Sequence, residues 1–89
     1  MGASRTVDVL NKRGLHARAS ARFVTLASTL SVEVLVEKDG SSVCGTSIMG
    51  LMMLGAAMGD RITISADDDG AEDAVTALAE LVEGKFGED

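Results

Sequence analysis

Eighty-nine residues suffice for one small domain and not for two. Eight basic against fourteen acidic side chains leave a formal charge of −6, and the only aromatic residues are Phe23 and Phe86. Neither a basic footprint for nucleic acid nor a stacking platform for single-stranded bases is available. The 46% apolar content is that of a globular chain rather than a disordered one.

Cys44 is the only cysteine and His16 the only histidine. An internal disulfide is therefore excluded, and the pair falls well short of a four-ligand structural zinc site. No cofactor and no metal are expected. The N-terminus lacks the apolar core of a secretory leader, and no stretch approaches the roughly 20 apolar residues that span a membrane. A cytoplasmic monomer without nucleic-acid or membrane partners is the expectation.

In chain order, residues 6–10 read as a strand, and Asn11-Lys12-Arg13-Gly14 as a turn. From residue 17 to about 28 the spacing changes: Ala19, Phe23, Leu26, Ala27 and Leu30 fall on one helical stripe. Residues 32–37 form a second strand with Val32, Val34 and Val36 on one face, and Asp39-Gly40 is a two-residue hairpin signal. Residues 41–44 are the returning strand, with Cys44 expected as a small buried side chain. A short helix follows, its N-terminus capped by the Ser47 hydroxyl. Residues 61–66 alternate as a fourth strand, and Asp67 to Gly70 make a turn. Asp69 and Glu72 form a variant capping box there. Ala71, Ala74, Val75, Leu78, Leu81 and Val82 then line a last helix that ends near Gly84 and Lys85. The order β-α-β-β-α-β-α predicts an α+β fold: a four-stranded sheet with one polar and one buried face, the buried one covered by helices.

The chemistry concentrates at Lys12 to Arg18. His16 falls where the loop becomes a helix, so unpaired backbone N–H groups and the positive end of the helix dipole converge on it. Arg18 offers a planar fork to phosphate oxygens, and Gly14 permits close backbone approach or a positive φ. An imidazole is largely neutral near pH 7, which leaves one ring nitrogen as a nucleophile. Groups that could take up and pass on a phosphoryl group are present, and those of a hydrolase are not. On residue types alone the plainer reading also stands: His16 as a capping side chain and Arg18 as a solvated cation. In the short helix, Met49, Met53 and Leu54 are expected to include exposed side chains, because a surface helix in so small a domain buries only one face. Ile48, Met49, Leu51, Met52, Met53 and Leu54 are read together as a docking surface.

Gly14-Leu15-His16-Ala17-Arg18, followed some thirty residues later by Ser47-Ile48-Met49-Gly50-Leu51-Met52-Met53-Leu54-Gly55, resembles the HPr family, the histidine phosphocarriers of the bacterial phosphotransferase system. The resemblance runs from about Val7 to Val82 and includes the order of elements. It implies an open-faced β-sandwich, with four antiparallel strands and three helices on one face. It implies a carrier rather than an enzyme: His16 accepts a phosphoryl group from a phosphoenolpyruvate-dependent Enzyme I and passes it to an Enzyme IIA-type acceptor, with Arg18 supporting the phosphate. Ser47 falls on the family's regulatory serine, the target of an HPr serine kinase/phosphatase in some bacteria. Two departures stand out. Ala19 occupies the place of a usual proline, and Thr46 that of a frequent basic residue. The sequence leans toward the nitrogen-related branch called NPr. A different class of reading is a regulatory binding module that acts through Ser47 without phosphotransfer.

Overall fold

Apolar side chains that recur at every second position share one face of a strand, and a sheet is stable when that face is covered. In the computed structural model, which describes residues 2–88, strands β1 (Ala3–Asp8), β2 (Leu35–Lys38), β3 (Ser41–Cys44) and β4 (Arg61–Ala66) form one antiparallel sheet in the order β1-β4-β2-β3. The register sets Val7 opposite Ile62 and Val36 opposite Ile64, and all four side chains are buried. The opposite face is open and mostly polar. There the hydroxyls of Thr6 and Thr63 lie 2.9 Å apart, and the Arg61 guanidinium donates to Asp8 at 3.1 Å.

Helices α1 (Ala17–Ser28), α2 (Ile48–Met53) and α3 (Ala71–Glu83) cover the buried face. Ala19, Phe23 and Ala27 of α1 meet Ala74, Leu78 and Val82 of α3 in one core with the strand residues. This is the expected α+β open-faced sandwich. The β2–β3 hairpin also follows the sequence: Asp39 and Gly40 have φ values of 51° and 84°, the double left-handed turn that matches strand twist.

Several local expectations are corrected. Strand β1 begins and ends earlier than residues 6–10, because its ladder with β4 runs from Ala3–Ala66 to Asp8–Arg61. Val32 and Val34 are buried as read, yet they precede the ladder, which starts at Leu35. Cys44 is exposed rather than buried, since it pairs with Leu35 on the open face. Helix α3 is capped by Gly70, with no side-chain bond from Asp69. Beyond Gly84 the chain continues into a 3-10 turn, Lys85–Gly87, that buries Phe86.

Candidate functional site

The loop before α1 is fixed from within. Asn11 is fully buried, and its side-chain amide donates to the Gly14 carbonyl at 2.8 Å. Gly14 has a φ of 63°, and a Cβ there would lie 2.3 Å from the Ala56 carbonyl oxygen. Only glycine satisfies both the backbone angle and that approach. The next amide, Leu15 N–H, donates to the same Ala56 carbonyl at 3.0 Å, and the Leu15 side chain is buried. The loop that carries His16 is thus held against the segment that follows α2.

His16 is the N-cap of α1. Its Nδ1 accepts the Arg18 backbone N–H at 3.3 Å, and its carbonyl takes the Ser20 N–H at 2.9 Å. The ring remains 17% exposed. On its other side, Nε2 lies 2.6 Å from Oε2 of Glu88, whose Oε1 receives the Asn11 amide at 3.0 Å. Burial pushes the Glu88 carboxyl up, but hydrogen bonds from Asn11 and His16 and the charges of His16 and Arg22 outweigh it. The group sits below the usual carboxylate range. Arg22 also donates to the Phe86 carbonyl, which ties the C-terminal turn to α1.

Lys12, Arg13, Arg18 and Arg22 line one shallow cleft with Gly87 and Glu88. Four of the chain's eight basic side chains therefore gather beside His16 in a protein of charge −6. Among the described residues no acidic side chain pairs with Arg18. Such a cleft favours an anion, and charge-assisted bonds from guanidinium groups suit phosphate oxygens.

Ser47 caps α2 by accepting the Gly50 N–H on Oγ at 3.0 Å. Met49 and Met53 are 71% and 79% exposed, with Ile48 and Met52 half-exposed beside them. Leu51 and Leu54 are buried in the core. The docking expectation is corrected for these two, because a one-sided helix must turn some apolar side chains inward. Met58, just past α2, adds a further exposed apolar side chain. Ala19 is buried within an unbroken α1, so the helix forms without a proline there.

Glu88 joins His16 without any local signal, since it is 72 residues away in sequence, and Asn11 reaches the site through its bond to Glu88. Among the described residues no cluster of His, Cys, Asp and Glu could hold a metal ion, and no helix is long and apolar enough to cross a membrane.

The profile of the PTS HPr component phosphorylation site matches residues 3–84. A phosphocarrier protein HPr from Neisseria meningitidis is 48% identical over 84 residues, 94% of each chain. This gives no support to the leaning toward the nitrogen-related branch. Among solved structures, HPr-C-His from Thermoanaerobacter tengcongensis overlays with a TM-score of 0.92 at 46% identity, covering 98% of both chains. A structure described as an HPr dimer from the same organism overlays at 0.76 with 48% identity, covering 92% of this chain and 94% of that one. With its histidine at the start of α1, its open-faced sandwich and these matches over nearly its whole length, the chain belongs to the HPr family of phosphocarriers of the phosphotransferase system.

Proposed function

We propose that His16 is the phosphoryl acceptor, that phosphorylated Enzyme I is the donor and that an Enzyme IIA-type protein is the recipient, the exchange taking place in the cytoplasm. One observation carries this reading. The Nδ1 edge of His16 faces the first amides of α1, beside a cleft with four cationic side chains. A phosphoryl group there meets unpaired N–H groups, the positive helix end and the Arg18 fork. None of these neighbours is placed to activate water, so the group is held for transfer.

Met49 and Met53, with the half-exposed Ile48 and Met52, form the surface on which partners settle. Both partners meet the carrier as a monomer. Ser47 lies at the margin of that surface, where a phosphate is tolerated at the α2 N-terminus and repels an apolar or acidic partner. An HPr serine kinase/phosphatase would thereby control docking without altering the fold.

The test is labelling with phosphoenolpyruvate and a cognate Enzyme I. An acid-labile, base-stable adduct forms on the wild type and is absent from His16→Ala. Label that persists in His16→Ala would overturn the proposal. For the regulatory part, the serine-phosphorylated protein should take up label from Enzyme I more slowly, and an equal rate would remove Ser47 from it.

A further inference from the structure

We infer that Glu88 and Asn11 are positioning residues for His16: the Glu88 carboxylate, aimed by the Asn11 amide, keeps the ring proton on Nε2 and leaves the Nδ1 lone pair as the acceptor. This inference rests on the reading of His16 as the phosphoryl acceptor.

Three contacts in series build the arrangement. Nε2 of His16 lies 2.6 Å from Oε2 of Glu88, Nδ2 of Asn11 lies 3.0 Å from Oε1 of Glu88, and the same Nδ2 lies 2.8 Å from the Gly14 carbonyl. The Asn11 orientation is unambiguous, because a flipped amide would set its oxygen against a carbonyl and a carboxylate at once. Its own Oδ1 is buried without a partner. Such an orphan is costly, so the position is occupied for what its nitrogen holds. Glu88 is kept in place by the buried Phe86 and by the bond from Arg22 to the Phe86 carbonyl.

The two sides of the ring agree. An ionised carboxylate only accepts, so Nε2 must donate to it. On the opposite edge Nδ1 takes the Arg18 amide hydrogen, which needs a lone pair there. In the transfer step the Arg18 N–H releases Nδ1, whose lone pair forms the bond to phosphorus while the bond from phosphorus to the donor's leaving atom breaks, and the leaving group keeps that electron pair. Nε2 retains its proton. The positive charge that develops on the ring is met by Glu88, the part an aspartate plays behind the histidine of a catalytic triad.

The experiment compares the wild type with Glu88→Ala and Asn11→Ala, using 15N-labelled histidine and phosphoramidate as a small phosphoryl donor. Phosphoramidate gives up its phosphoryl group as the bond to nitrogen breaks and ammonia departs. In the wild type, NMR is expected to show an Nε2 proton protected from exchange, and phosphorus on Nδ1 alone. In Glu88→Ala that protection is lost, phosphorus appears on both nitrogens, and kcat for uptake from Enzyme I falls about tenfold with KM unchanged. Asn11→Ala shifts the same readings in the same direction. An unprotected Nε2 proton in the wild type, or the same nitrogen distribution in wild type and Glu88→Ala, would overturn the inference. If Enzyme I labels no form while the NMR difference persists, the carrier reading falls and the orienting contact stands.

Discussion

Gly14 carries the tightest backbone constraint in the loop that presents His16. Gly14→Ala must place a side chain in a left-handed conformation and within 2.3 Å of the Ala56 carbonyl oxygen. The expected loss is at least about 2 kcal/mol, read by urea unfolding. For a domain of this size that corresponds to a fall in Tm of roughly 10 °C. Glu88 makes the site sensitive to pH. Its carboxyl lies below the ordinary carboxylate range when folded, so its contribution to stability is complete above about pH 4.3. The contribution is lost as pH falls through the lowered folded value. The Nε2 proton of His16 should accordingly stay protected at pH 5 and lose protection in stronger acid, as NMR would show. His16 was legible because loop, turn glycine and helix start lie within a few residues of one another. Its partner on Nε2 was not, since nothing in the residues near Glu88 points back across most of the chain.

Helix α2 divides its apolar side chains between two tasks, and substitution separates them. Met49→Ser and Met53→Ser together should change stability by no more than about 1 kcal/mol, about 0.5 kcal/mol for each, because both side chains already face solvent. Binding to Enzyme I should weaken, as calorimetric titration would show. Leu51→Ala should do the reverse, costing about 2–5 kcal/mol in denaturant unfolding through the cavity it leaves. Spacing alone could not sort the six residues from 48 to 54, because nearly every position of the helix is apolar and the periodic signal is weak. Where polar residues interrupt the pattern, reading succeeded: α1 spans Ala17–Ser28 and β4 spans Arg61–Ala66, both as expected. At the start of α3 the acidic turn suggested a side-chain cap, and the chain uses Gly70 in its place.

Across the whole molecule, strand alternation told which face of the sheet is buried, and the hairpin and helix order then left few ways to arrange four strands. The C-terminal turn fell outside that logic. It has no period of its own, and it is placed by one buried aromatic, Phe86, and by bonds to side chains of distant segments. Cys44 escaped for a related reason. Its burial depended on which strand pairs with it, and beside Leu35 it looks outward. A single solvent-facing thiol makes the chain ready for site-specific labelling without any substitution, and Ellman's reagent should titrate it fully under native conditions. A fluorophore attached there would sit on the open face of the sheet, three residues before the Ser47 cap of α2. The slower tumbling of a labelled carrier, followed as anisotropy, would then count each partner as it arrives and departs.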